Sequence, residues 1–244
     1  MGQTPLEALE AYRSQHSELA DLPMTYAGRL DPMAEGLLLV LAGETVHQKD
    51  DFLKLDKKYE AEILFGFSSD TYDALGLPQT NHEFPTLEER TIKIELHKFI
   101  GTNQLPIPSY SSKPVAGKPM FEWAKAKQLS QIYVPNQNSQ IFEADLVRLQ
   151  NLPWSEVYNY ITQTIPKVTG QFRQTEILEK WHNINSDLDK LAPHLTVQTA
   201  QVNFYCSSGT YIRSLAVELG NKLGVPSLLL KLKRTSVGPY NFAD

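Results

Sequence analysis

One carboxylate stands out for the way the chain holds it. Asp31 sits in the polar turn Gly28-Arg29-Leu30-Asp31-Pro32, directly ahead of the apolar run Gly36-Leu37-Leu38-Leu39-Val40-Leu41. Gly28 allows backbone angles closed to other residues, and Pro32 biases Asp31 toward an extended conformation. The run from Leu37 to Leu41 reads as a buried strand, although so short an apolar stretch also suits a helix. A carboxylate on a stiff turn at the edge of a core can be held against a substrate. An Asp-Pro pair also makes an ordinary turn, and the residues alone favour that plainer reading. Asp70 and Asp73, within Ser68–Gly76, could form an acid–base pair of the glycosidase kind. A turn in which Asp and hydroxyl side chains bond backbone N–H groups is the preferred reading there.

Other chemistries find little support. The six histidines, His16, His47, His82, His97, His182 and His194, have no zinc-like spacing to one another or to a cysteine. No metal site is expected. The single cysteine, Cys206, excludes an intrachain disulfide and fits a reducing compartment. No apolar run approaches the roughly 20 residues of a membrane helix, and the start MGQTPLEALEAYR has no signal-peptide core. The expectation is a cytoplasmic globular protein. Net charge is -5, awkward for a nucleic-acid binder, yet lysines gather near the candidate motifs at 54, 57, 58, 113, 118, 125 and 127. Clustered lysines are also what a plain solvated face looks like.

The elements that must position these groups follow from local pattern. Thr4-Pro5-Leu6-Glu7 is a capping box with proline at the first helical position, and Leu6, Leu9 and Tyr12 follow at helical spacing. In Lys57–Gly66, Tyr59, Ala61, Ile63 and Phe65 share one face and Glu60 and Glu62 the other, as in a half-buried strand. Ile92, Leu96 and Phe99 predict a helix that Gly101 stops. Gln104–Lys118, rich in proline, hydroxyls and lysine, predicts an exposed loop, followed by a helix at Phe121–Lys125. Helices are expected around Trp154–Thr164 and Arg173–Asn183. Val202–Cys206 alternates as a strand, Ser207–Thr210 makes a turn, and a helix follows with Arg213 in its first turn, a location that favours anions.

The stretch GRLDPMAEGLLLVLAGE resembles the catalytic motif of the pseudouridine synthases, above all the TruB family, tRNA pseudouridine-55 synthases. Four further stretches resemble that family in its order: Lys57-Lys58-Tyr59, Ser68–Gly76, Gln104–Lys118 and Ser207–Leu215, which holds Tyr211-Ile212-Arg213. The closing Leu232-Lys233-Arg234 also resembles it. The resemblance implies an α+β fold, with a mixed, mostly antiparallel sheet and flanking helices around a central cleft. It implies one catalytic domain over 1–244, with a thumb-like RNA-clamping insertion at about 104–130 and a less matched helical region at about 150–195. The implied activity is isomerisation of a T-loop uridine to pseudouridine, with Asp31 catalytic and Tyr59, Tyr211, Arg213 and Leu232 binding the substrate. Tyr26, Arg29, Lys58, Lys113 and Lys118 would make secondary RNA contacts. The implied partner is the T-arm of tRNA, with no membrane and, because the reaction is an isomerisation, no cofactor; a monomer is the default.

This sequence departs from the family in places. Tyr26 stands where the family often has histidine, and Arg29 spells the turn as other pseudouridine synthase families do. The usual N-terminal Lys-Pro strand and the RNA-binding PUA domain are not expected. Two other readings stay open: an RNA-binding or tRNA-folding protein with a decayed site, and an Asp-dependent glycoside hydrolase or nucleosidase. The hydrolase needs a second carboxylate facing Asp31 across the cleft, for which Asp70 and Asp73 are the candidates.

Overall fold

The computed structural model describes residues 2–242; Met1, Ala243 and Asp244 of the expected 1–244 domain lie outside the described residues. The capping box forms as the sequence predicts. Thr4 caps α1 (Pro5–Gln15) by accepting from Glu7 N–H, and Glu7 reaches back to Thr4 N–H. Of its expected apolar stripe only Leu9 is buried, while Leu6 and Tyr12 stay exposed. Next come β1 (Met24–Ala27), β2 (Ala34–Gly36), β3 (Leu39–Ala42), α2 (Lys49–Lys54) and β4 (Lys57–Phe65). The short β5 (Ser68–Ser69) and β6 (Pro78–Gln79) flank a tight loop. They are followed by α3 (Glu89–His97), β7 (Gly101–Pro106), β8 (Pro114–Val115), β9 (Lys118–Pro119) and α4 (Met120–Lys125). The chain then forms β10 (Asn136–Pro153), α5 (Trp154–Thr164), α6 (Gln174–Leu191), β11 (Thr196–Cys206), α7 (Ile212–Leu223), β12 (Ser227–Val237) and β13 (Tyr240–Asn241).

The main sheet runs β13-β12-β4-β11-β10-β7 with β2 added beside β12. All pairings are antiparallel except β2 on β12, so the sheet is mixed and mostly antiparallel, as the α+β expectation has it. Alternation sends Ile63, Ala200 and Leu229 to one face, against Ile92 and Leu96 of α3 and Leu215 and Leu219 of α7. Their neighbours Leu64, Val197, Leu228 and Leu230 face the other way, onto Trp154 and Ile161 of α5 and Ile177 and Trp181 of α6. The centre of the sheet is therefore buried on both sides, so the Phe65 end of β4 is not the half-buried strand its alternation predicts. The helical region around 150–195 has a plain packing role in this: it covers the second face. Trp181, fully buried, anchors it, and truncation of such a residue costs about 3–5 kcal/mol.

Four local expectations are corrected. The apolar run 37–41 is not one buried strand. Gly36 (φ 104°) lies against the backbone of Arg234, and Leu37 N–H bonds the Arg234 carbonyl, so the chain bends away and only Leu41 is buried. Gln104–Lys118 is not wholly an exposed loop. β10 has 18 residues, and its first part offers a free edge on which Gly101–Pro106 pairs, burying Leu105, with Ile107 and Ser111 also buried. The helix over Ile92 ends at His97, and Gly101 begins β7 instead of stopping the helix. The second helix of the 150–195 region extends well past Asn183, to Leu191.

Candidate active site

The turn carrying Asp31 is held from behind. Gly28 takes φ 86°, which frees its carbonyl and that of Arg29 to point at β12. There the buried Arg234 donates from Nη2 to Gly28 O (3.3 Å), from Nη1 to Arg29 O (3.2 Å) and from Nε to Leu37 O (2.8 Å). A guanidinium buried against three carbonyls is satisfied by their dipoles and fixes both sides of the turn. Ala34 N–H closes the turn on Asp31 O at 2.8 Å.

From the other side comes Arg213, the second residue of α7, with only 4% of its side chain exposed. Its Nε donates to Asp31 Oδ2 at 2.8 Å and its Nη2 to Asp31 Oδ1 at 2.9 Å. This fork-on-fork pair fixes the carboxylate in plane as well as in position. The remaining donors go to backbone: Nη1 to Thr71 O (2.8 Å), and Nη1 and Nη2 to Tyr110 O (3.4 Å each). Asp73 Oδ2 lies 3.7 Å from Arg213 Nε. A cation in the first turn of a helix opposes the helix dipole, and two adjacent carboxylates offset that cost.

The Ser69–Gly76 loop is the turn the sequence favours. Asp73 Oδ1 accepts from Thr71 Oγ1 (2.6 Å) and Leu75 N–H (3.0 Å), and Asp70 Oδ1 accepts from Leu77 N–H (2.8 Å). The loop is pinned to β12, with Ala74 N–H on Leu229 O and Leu229 N–H on Tyr72 O. Burial pushes the Asp73 carboxyl up to about 6; Arg213 opposes this and the neighbouring Asp31 reinforces it.

These groups open onto a cleft of about 780 Å³. The structure brings Asp31, Tyr59, Tyr211, Arg213 and Leu232 together there, and Tyr26 and Arg29 line it as well. Tyr59 comes from β4, and burial pushes its phenol up to about 12, so the ring is neutral at ordinary pH. Asp31 keeps 32% of its side chain accessible, enough to meet a substrate while Arg213 holds it. Arg29 Nη1 bonds Ser112 Oγ at 3.1 Å, joining the Asp31 turn to the segment after β7. Lys58, Lys113 and Lys118 do not line the cleft. Lys58 Nζ lies 5.0 Å from the Tyr205 ring and Lys118 Nζ 4.8 Å from that of Trp123, while Lys113 is exposed.

Sequence reasoning missed several cleft residues. Lys125 lines it in place of the other lysines, and Arg234 sits in its wall. Lys57 is buried, donating to Leu53 O, Leu55 O and Ser208 Oγ, and burial together with Arg234 pulls its ammonium down to about 8. Arg173, from the less matched helical region, pairs with Asp70 (2.8 Å) at the edge of the cleft. The apolar-face and capping patterns that mark helices say nothing about such contacts; only the clustering of Lys57 and Lys58 before Tyr59 was a signal. Among the described residues no group of three or more His, Cys, Asp or Glu could hold a metal ion, and no helix is long and apolar enough to cross a membrane.

Solved structures share this architecture. The chain matches a protein in a Cbf5-Nop10-Gar1 complex with a TM-score of 0.58 at 16% identity, and one in an H/ACA RNP bound to a substrate RNA containing 2'-deoxyuridine with 0.55 at 14%. It is covered to 98% in both and spans a little under half of those chains, 47% and 45%, a likeness of fold alone. Among sequences, tRNA pseudouridine synthase B of Malacoplasma penetrans is 30% identical over 218 residues, covering 88% of this chain and 73% of that protein. The enzyme of the same name from Bordetella avium is 28% identical over 218 residues, covering 88% and 70%. The family model described as TruB family pseudouridylate synthase (N terminal domain) matches residues 22–161, which include Asp31, Tyr59 and Asp73. With the Asp31–Arg213 pair formed and an aromatic cleft around it, the chain belongs to the TruB family of pseudouridylate synthases.

Proposed function

We propose that the protein isomerises a T-loop uridine of tRNA to pseudouridine, with Asp31 as the essential carboxylate. The observation that carries this reading is the two-bond Asp31–Arg213 pair on the floor of a cleft lined by Tyr59 and Tyr211. In the reaction the C1'–N1 bond breaks, uracil turns in the pocket, C1'–C5 forms, C5 loses a proton and N1 gains one. Atoms are conserved and no electron acceptor enters. A stacked base cannot reach Asp31, so the nucleotide must leave its stack. The Tyr59 and Tyr211 rings replace lost stacking, worth about 1–3 kcal/mol per base in single-strand binders. Arg213 orients Asp31, Leu232 closes the pocket, and Tyr26 and Arg29 meet the flanking RNA. Attack on uracil C6, attack on C1' and removal of a sugar proton all use a carboxylate held as Asp31 is, and all need a pocket that retains free uracil.

The region about 104–130 acts in this reading as a clamp over the RNA, and the chain works as one catalytic domain and as a monomer in the cytoplasm. The hydrolase reading loses support from the geometry. Asp31 and Asp73 are the carboxylates lining the cleft, and both lie on the same guanidinium, not across the cleft from each other. Asp70 is occupied by Arg173. A decayed site is disfavoured because Asp31, Tyr59 and Arg213 are all present and assembled.

The test is tritium release from a tRNA transcript labelled at uridine C5, which reports the new carbon–carbon bond directly. Release by the protein, lost in Asp31→Asn and in a transcript with the T-loop uridine replaced, is the expected result. Tight tRNA binding without release would overturn the proposal in favour of a binding protein.

A further inference from the structure

Arg173 is a residue that local rules disfavour twice. Its backbone is left-handed (φ 62°, ψ 29°), a conformation that costs a non-glycine residue, and it places a cation at the N-cap of α6, with no side-chain cap formed. Such a state persists where tertiary contacts over-determine it. The segment also lies beyond residues 22–161 matched by the family model, yet it reaches the cleft.

The contacts are specific. Arg173 Nη1 donates to Asp70 Oδ2 at 2.8 Å and Nη2 to Asp70 Oδ1 at 3.2 Å, while its Cζ lies 4.3 Å from the centroid of the Tyr110 ring. Arg173 is about a quarter exposed and Asp70 about a third, so solvent screens part of the charge, and the planar two-bond geometry and the stacked ring define the contact. Asp70 and Tyr110 stand at the two places that seat Arg213. The carbonyl of Thr71, next to Asp70, takes one Arg213 hydrogen bond, and the carbonyl of Tyr110 takes two. Two arginines thus grip the same two segments: Arg173 by side chains, Arg213 by backbone carbonyls.

We propose that Arg173 is a positioning residue for the Asp31–Arg213 pair. It locks the Ser69–Gly76 loop to the segment after β7, so that Arg213 presents Asp31 in a single orientation. The kinetic consequence rests on the synthase reading; the structural consequence does not.

The test compares the wild-type chain with Arg173→Met, Arg173→Lys, Asp70→Asn and the Arg173→Met/Asp70→Asn double variant. Three quantities are measured: single-turnover tritium release, tRNA affinity, and amide hydrogen exchange in peptides spanning 70–75 and 109–112. A displaced catalytic group predicts a rate about tenfold or more lower in Arg173→Met, with affinity within about twofold of wild type. Arg173→Lys, which keeps the charge but loses the planar fork, falls between the two. The double variant is no slower than the worse single, since both remove one contact. Exchange accelerates in both peptides. A rate within about twofold of wild type, a loss of rate matched by an equal loss of affinity, or independent effects of the two substitutions would overturn the proposal. If thermal melting shows Arg173→Met unfolded, Arg173→Lys carries the same comparison. If the wild-type chain itself releases no tritium, the synthase reading fails on its own. Exchange then decides: acceleration at 70–75 and 109–112 upholds the seat, and unchanged exchange overturns it.

Discussion

Asp31 and Asp73 share one edge of a single guanidinium, with Arg213 Nε 2.8 Å from Asp31 Oδ2 and 3.7 Å from Asp73 Oδ2. The two carboxylates differ in what else they touch. Asp73 is committed to Thr71 and Leu75 inside the protein, while Asp31 turns its free side to the cleft. Environment therefore divides two chemically identical groups: one faces the open cleft and the other braces the loop that seats Arg213.

Replacing Arg213 leaves both carboxylates near each other without a counter-charge. Arg213→Met is expected to lower stability by about 3–5 kcal/mol, the usual cost of removing one partner of a buried ion pair. Because Asp31 is a third exposed, the lower figure is favoured. Arg213→Lys keeps a charge but not the fork, and tritium release is expected to fall about 10²-fold. Urea denaturation and single-turnover assays check the two statements separately.

Asp73 predicts a particular pH dependence. Its folded value, about 6, lies above the model-compound value of 3.8, so the folded state holds the proton more tightly. The stabilisation this gives is full below pH 3.8 and is lost as pH rises through about 6. Across that window it amounts to roughly 1–3 kcal/mol. Asp73→Asn, neutral at every pH, is expected to remove this slope, measured as urea stability at several pH values from 3.5 to 7 (about the span of the two pKa values). An unchanged slope in the variant would assign it to other groups.

Much of this site is legible in the chain before folding. Asp31 is marked by the resemblance of its Gly-to-Pro turn to a family motif, the residues alone favouring a plain turn, and Arg213 by a strand-turn-helix pattern that places it in a first helical turn. The existence of β4 and the cap of α1 also come through, because they depend on neighbours two to four residues away. What does not come through depends on distant partners. Arg173 sits where helix rules place Ser, Thr, Asp or Asn. Arg234 carries no local signal of its role, since it turns inward onto carbonyls about 200 residues earlier. The Leu37–Leu41 run is a strand by pattern and is broken by Gly36 meeting a strand from the far end of the sequence. That Lys58, Lys113 and Lys118 stand outside the cleft is not legible either, because charge is visible in sequence and direction is not.

Gly36 gives a prediction that needs no charge. A Cβ there would lie 2.2 Å from the Arg234 carbonyl oxygen, at a φ of 104° that side chains avoid. Gly36→Ala is expected to cost roughly 2–5 kcal/mol, strain and overpacking together. It should also lower turnover, because the strand it displaces holds the Asp31 turn. Melting temperature and tritium release, measured on the same preparation, check both.

Cys206 offers the simplest check of the core. It is fully buried beside β4, and burial pushes its thiol up to about 12. A disulfide exchange reagent at pH 8 is expected to leave it unmodified in the native protein and to react with one equivalent in urea. Rapid native reaction would mean that the strand ends around Lys57 open easily.

Arg234 also imposes a schedule. It lies 205 residues after Arg29, whose carbonyl it holds, and at about 5–20 residues per second that interval takes roughly 10–40 s of synthesis. Until β12 has emerged and paired, the turn carrying Asp31 has neither its anchor nor its parallel neighbour. A nascent chain therefore carries the first wall of the cleft long before the wall that faces it exists. Completion of the sheet is the event that fixes the Asp31 turn in place.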